Sequence, residues 1–102
     1  MSNPNYNRGV RFERKVKAEY EALGYTVLRT AGSHGKFDLI ALHSMHSPKA
    51  IQCKVLKTGT QKRGDSLVLK FLAKPPLPIS SFYIQVLAVY NMKDKTRSLG
   101  GC

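Results

Sequence analysis

Asp38, Gln52 and Lys54 interrupt two stretches that are otherwise apolar, Phe37 to Leu42 and Ala50 to Val55. Both stretches read as strands, and His43 to Lys49, with Ser47-Pro48 inside it, separates them as a hairpin loop would. Successive side chains of a strand point to opposite faces, so Gln52 and Lys54 must share one. With Asp38 on the matching face of the neighbouring strand, an acid, an amide oxygen and an ammonium converge. A folding core has no use for that combination, whereas a site that handles a charged ligand does. Each residue alone has an ordinary explanation. Asp38 could cap the preceding turn, Gln52 could face water, and Lys54 could protect an exposed edge strand.

Composition bounds what the cluster could act on. Seventeen Lys and Arg stand against six Asp and Glu in 102 residues, a formal charge of +11. Such an excess points to a polyanionic partner, nucleic acid first, although an RNA binder or an anionic-membrane binder carries similar charge. The basic residues run from Arg8 to Arg97, as on a charged face of a folded body. The length suits a single domain over residues 1–102 with a thin core, flexible at 1–6 and 100–102. No apolar run is long enough to span a membrane, and Met1 to Tyr6 lacks a signal-peptide core. The reading is therefore a cytoplasmic, intracellular protein, whether encoded by the cell or by a virus or phage acting in it. Cys53 in a strand and Cys102 at the end encode neither a disulfide framework nor a Cys-x-x-Cys zinc site.

Along the chain, Asn7 can cap a first helix that carries Phe12, Val16, Tyr20 and Leu23 at helical spacing and stops at Gly24. Glu13 borders this stripe, and by periodicity it reads as a surface acid near a helix start. Tyr25 to Arg29 is a short first strand. Thr30 to Lys36 is a turn in which Gly32 and Gly35 let the backbone approach a phosphate around Ser33 and His34. Leu56 to Asp65, with Lys57, Lys62 and Arg63, reads as a polar, basic loop suited to a phosphate backbone. Ser66 to Lys74 fits strand or helix, with Asp65 or Ser66 as a possible cap, and Pro75, Pro76 and Pro78 end it. Phe82 to Tyr90 is a central strand with both faces apolar, and Thr96 to Leu99 adds a return strand. The order of elements predicts a compact mixed α/β domain. His43 and His46, three apart in a turn, read as solvated imidazoles rather than a zinc site, and adjacent Ser33 and His34 align poorly as nucleophile and base.

Several stretches together resemble a known family. Arg8-Gly9, Phe12-Glu13-Arg14, Gly24 to Ser33, Asp38-Leu39-Ile40-Ala41 and Ile51-Gln52-Cys53-Lys54-Val55 are similar to archaeal-type Holliday-junction resolvases, of the restriction-endonuclease-like superfamily. The match covers residues 8 to 57 in order. Beyond it only the Val86-Leu87-Ala88-Val89 strand corresponds, and the helix usual in between is expected to be shortened or replaced. The resemblance implies a central mixed β-sheet flanked by helices, with an acidic ligand on the amino-terminal helix. It implies that Glu13, Asp38 and Gln52 bind Mg²⁺, for which Mn²⁺ may substitute, and that Lys54 orients or deprotonates the attacking water. It also implies that Ser33 is a catalytic residue and that Arg14, Arg29 and Lys57 contact the DNA phosphates; Arg8, Lys36, Lys62 and Arg63 are expected to join them as DNA contacts from the basic character of the chain. No small-molecule cofactor is implied.

The chemistry of phosphodiester hydrolysis agrees with those roles. Hard oxygen ligands suit Mg²⁺, and a lysine adds positive charge where the transition state gathers negative charge. Gln52 is the departure, since the family carries Glu there. Its carbonyl still offers an oxygen, but one negative charge is lost and the metal should bind more weakly. Two outcomes stay open: an active resolvase with a higher Mg²⁺ requirement, or a branched-DNA binder that no longer cleaves. Paired nicks need two such sites, so a two-fold homodimer on a four-way DNA junction is expected, with exposed apolar residues of the last strands in the interface.

Overall fold

The computed structural model describes residues 4–30, 37–74 and 83–101, with side chains from residue 9 onward in the first segment. The predicted sites at Ser33, His34 and Lys36, the side chain of Arg8, and the Pro75 to Pro78 stop lie outside the described residues. In chain order the elements are α1 (Pro4–Ala22), β1 (Thr26–Arg29), β2 (Leu39–Leu42), β3 (Lys49–Leu56), α2 (Gln61–Ala73), β4 (Ile84–Asn91) and β5 (Thr96–Gly100). The strands form one sheet in the order β1-β2-β3-β4-β5, antiparallel except for the parallel pair β3·β4. A parallel neighbour requires a crossover, and α2 supplies it. The mixed sheet flanked by helices is thus the architecture expected from the sequence.

Helix α1 starts at Pro4, earlier than the expected Asn7, and so takes in residues 4–6 that were expected to be flexible. Proline suits the first helical position, where its missing N–H has no partner to lose. The helix stops as predicted. Gly24 adopts φ 96, the Gly24 N–H donates to the Glu21 carbonyl (3.0 Å), and the Tyr25 N–H donates to the Tyr20 carbonyl (3.1 Å). These two bonds close the last turn, and the left-handed residue between helix and strand favours glycine.

The sheet separates two apolar clusters. On one face Phe12, Val16 and Tyr20 of α1 pack on Val27, Leu39, Ala41, Ile51, Val86 and Ala88. On the other, Val68 of α2 packs with Leu87 and Val89. β4 serves both, so Val86, Leu87, Ala88 and Val89 are all buried, as its unbroken apolar run required. The return strand β5 forms as expected and takes in Gly100, which had been placed in a flexible end.

The largest departure lies after β3. The expected basic loop is confined to 57–60, and α2 begins at Gln61, so Lys62 and Arg63 stand in its first turn. The helix between β3 and β4 is not replaced: α2 fills that place with 13 residues. Its amino terminus is satisfied from far away, because the Gln61 N–H donates to Asp94 Oδ2 at 2.7 Å across 33 residues, while Thr60 makes no side-chain cap. Gly64, a turn-former by composition, sits inside the helix for a packing reason. A Cβ there would lie 2.3 Å from Asn91 Oδ1 and 2.6 Å from Ser98 Oγ, so glycine permits close approach of helix and sheet inside the helix. Lys74 then turns extended, at φ −80 and ψ 151, as a residue preceding proline must.

Candidate active site

The end of β2 creates the site. Leu39 pairs with Ile51 in the β2·β3 ladder, yet the Asp38 N–H also donates to the Ile51 carbonyl (2.8 Å), so the chain slips by one position as it leaves the strand. Thr30 secures the bend from β1: its N–H donates to the Asp38 carbonyl (3.0 Å) and its hydroxyl to the Phe37 carbonyl (2.6 Å). Beyond this slip β3 has lost a backbone partner. The carboxylate of Asp38 replaces it, with Oδ2 accepting from the Cys53 N–H at 2.8 Å. A ladder bond lies in the sheet, so this carboxylate sits between the two faces at the point where β2 and β3 part.

Glu13 reaches the same place from α1. Phe12 and Val16 turn into the core, which leaves Glu13 at the border facing β1, where Arg29 Nη2 stands 4.0 Å from its Oε1. Burial pushes the Glu13 carboxyl above the usual carboxylate range, the Asp38 charge raises it further, and Arg29 partly offsets both. Two carboxylates close enough to repel, with one loosely placed guanidinium, form a cluster short of positive charge. Periodicity alone marks Glu13 as a surface acid; in the structure its carboxyl is partly buried and feels the charge of Asp38.

Gln52 and Lys54 flank Cys53 on β3. Ile51, Cys53 and Val55 belong to the α1 side, so alternation turns Gln52 and Lys54 to the opposite face, with Leu56 of the α2 cluster. The predicted pair therefore shares one face, as period two demanded, but Glu13 approaches from the other. Asp38 stands between them. Gln52 is half-buried and Lys54 exposed, and neither makes a hydrogen bond or ion pair with a described residue. Among the described residues no three His, Cys, Asp or Glu side chains group closely enough to hold a metal. Glu13 and Asp38 are hard oxygen donors of the kind Mg²⁺ or Mn²⁺ requires, and their repulsion is what a cation would relieve. Gln52 offers the next oxygen along β3, but its side chain leaves the strand on the face away from Glu13, so the three expected ligands do not share one face.

Cys53, read from sequence as a buried hydrophobe, is half-buried in this cluster. Burial pushes its thiol up to about 12, and the Asp38 and Glu13 charges add to the effect, so it is no nucleophile near neutral pH. What it contributes to the cluster is its backbone N–H, which holds Asp38 Oδ2, and residue type could not reveal that. Of the predicted DNA contacts, Arg14, Arg29, Lys57, Lys62 and Arg63 all have exposed side chains. Lys62 and Arg63 oppose the dipole at the start of α2, where no acid lies in the first turn. His43 and His46 are not separately solvated: their ring centroids lie 4.5 Å apart, the Tyr25 ring is 4.9 Å from His43, and His43 Nδ1 accepts from the Met45 N–H at 3.0 Å.

No protein-family model matches the chain, and no curated protein does. The solved structures include a match: Hjc of Archaeoglobus fulgidus, a Holliday junction resolvase from an archaeal hyperthermophile, with a TM-score of 0.56 and 18% identity over 92% of this chain and 72% of that one. The fold is resolvase-like. At that identity the likeness concerns the backbone, and the resolvase-like fold includes both helices and the five-stranded mixed sheet. No helix among the described residues is long and apolar enough to cross a membrane.

Proposed function

We propose that this chain is a metal-dependent, structure-specific endonuclease that cuts four-way DNA junctions. The observation that carries the reading is the placement of Glu13 beside Asp38 at the β2·β3 divergence, within a resolvase-like fold on a chain of formal charge +11. Asp38 is held through its N–H, its carbonyl and Oδ2, and Oδ1 makes no hydrogen bond with a described residue. Glu13 supplies a second carboxylate from a rigid helix, and Gln52 a neutral oxygen. Mg²⁺ bound by these groups would lower the pKa of a water and neutralise charge at the scissile phosphate. Lys54, free of any partner among the described residues, places its ammonium near that phosphate and stabilises the charge that builds there. Arg14, Arg29, Lys57, Lys62 and Arg63 hold the backbone of the junction, and recognition through phosphates makes binding fall steeply with salt. Ser33 belongs to the same proposal through the family resemblance, and Arg8 and Lys36 through the basic character of the chain. A two-fold homodimer would supply the paired nicks.

Gln52 favours a second reading. With an amide in place of a third acid, the site has less charge to hold Mg²⁺, and the protein would then bind junctions without cutting them. Incubating an immobile end-labelled junction and a sequence-matched linear duplex with Mg²⁺ or EDTA separates the two. Symmetric Mg²⁺-dependent nicks in the junction support the nuclease. Retarded junction without nicks supports the silent binder, and equal attack on duplex rejects junction specificity.

A further inference from the structure

A second concave site lies on the other flank of α1. Whereas Glu13 faces β1 and β2, Arg11, Phe12 and Lys15 face β4 and β5, where with Tyr90, Met92 and Arg97 they line a cavity of about 320 Å³. Its floor is apolar and aromatic: the Phe12 and Tyr90 rings stack at 5.8 Å between centroids with an interplanar angle of 29°, and Tyr90 remains half-exposed. Its rim is cationic. Arg97 lies over the Phe12 ring at 5.4 Å and is fixed there by Glu19, whose Oε2 accepts from Nη1 at 2.6 Å. Arg11 and Lys15 are like charges one helical turn apart, an arrangement that repels unless an anion offsets it. Neither has an ion pair with a described carboxylate; Glu19, one turn beyond Lys15, holds Arg97 and feels the Lys15 charge only at longer range. No acid lines the cavity among the described residues.

A half-open aromatic floor beneath three cations fits a molecule with a flat π-body and a phosphate. We propose that this cleft binds an unpaired nucleotide of a DNA strand, its base against Tyr90 and Met92 and its phosphate between Arg11, Lys15 and Arg97. The occupant's identity as DNA rests on the nuclease reading; the aromatic and cationic complementarity does not. Base–aromatic contact tolerates any base, and the methionine thioether adapts to different ring sizes. At a branch point, where strands exchange and pairing frays, such a subsite would hold one strand on the flank of α1 opposite the carboxylates.

The test titrates the full chain with thymidine 5′-monophosphate, inorganic phosphate and thymidine in separate experiments, following backbone amide resonances. The proposal expects saturable shifts at Arg11, Lys15, Tyr90 and Arg97, with the nucleotide bound at least about tenfold more tightly than phosphate or thymidine. Arg11→Glu and Lys15→Glu, both at exposed positions, should weaken the nucleotide by about tenfold or more, and Tyr90→Leu should remove its advantage over phosphate. Equal affinity for phosphate and nucleotide would overturn the proposal in favour of a plain anion site, and so would shifts confined to other residues. If wild type nicks a junction while the nucleotide leaves the cleft unshifted, only the cleft proposal fails. If the nucleotide binds the cleft but junctions are neither bound nor cut, the nuclease reading fails instead.

Discussion

Replacing Asp38 separates its structural role from its proposed catalytic one. Asp38→Ala leaves the Cys53 N–H without the acceptor now 2.8 Å away, at a place where β2 offers no backbone carbonyl. Orphaning a largely buried donor costs about 1–2 kcal/mol at this degree of burial. For a chain of this length each kcal/mol moves the thermal midpoint by about 4–8 °C, so a fall of roughly 4–16 °C is expected. Asp38→Asn keeps a carbonyl for Cys53 and loses only the charge, and removing that charge also relieves the repulsion that raises Glu13. Its stability should stay within about 1 kcal/mol of wild type. Urea unfolding followed by circular dichroism, with thermal melts at the same pH, measures both. Cleavage should behave differently, since the amide lacks the charge to hold Mg²⁺ and both variants should lose at least about 100-fold in nicking rate. Both variants remove the charge that raises Glu13, so an Asp38→Ala protein as stable as Asp38→Asn would refute the bracing role. An Asp38→Asn protein that nicks at the wild-type rate would refute the catalytic one.

Restoring the acid with Gln52→Glu should lower the Mg²⁺ concentration for half-maximal nicking several-fold, on the order of the tenfold that one added carboxylate can supply, as a metal titration of the junction assay would show. Glu13→Gln should stabilise the protein at neutral pH while suppressing cleavage. Because folding raises the Glu13 carboxyl above its ordinary 4.5, wild-type stability falls as pH climbs through 4.5 to the higher folded-state value and stays lowered above it. Paired urea titrations at pH 3.5 and pH 7 should therefore show equal stabilities at the first and an advantage for Glu13→Gln at the second. Gly64→Ala forces a methyl into Asn91 and Ser98 and should cost about 1–3 kcal/mol or more; combining it with Asn91→Ala should cost less than the sum of the two, measured by denaturant unfolding. Cys53, with its thiol pushed up to about 12, should resist alkylation at pH 8 in the folded chain and react once urea unfolds it, as mass spectrometry can follow.

The legible features were those that repeat locally. Phe12, Val16 and Tyr20 announced α1 through their spacing, the four consecutive apolar residues of β4 announced a central strand, and Gly24 announced the turn between α1 and β1. What stayed hidden depended on partners distant in sequence. Asp94 satisfies the start of α2 from the β4–β5 turn, and Gly64 sits in that helix because Asn91 and Ser98 crowd it, so a stretch with turn-like composition folded as helix. The site divides in the same way. Period two placed Gln52 and Lys54 on one face, but no pattern shows that β2 slips by one residue and turns the Asp38 carboxylate into the sheet. Glu13 had no local mark beyond its place beside the stripe. Its place beside Arg29 and Asp38 comes from the approach of α1 to β1 and β2, a tertiary fact that periodicity does not show.

The most direct test of the central claim is a single-turnover comparison of wild type and Asp38→Asn on an immobile, end-labelled four-way junction, each with Mg²⁺ and with EDTA. Paired symmetric nicks by wild type in Mg²⁺ alone, absent from Asp38→Asn although it still binds the junction, are the predicted result. Tight junction binding by both proteins with no cleavage in any lane, or cleavage that persists in EDTA, would contradict a metal-dependent nuclease built on Glu13, Asp38 and Gln52.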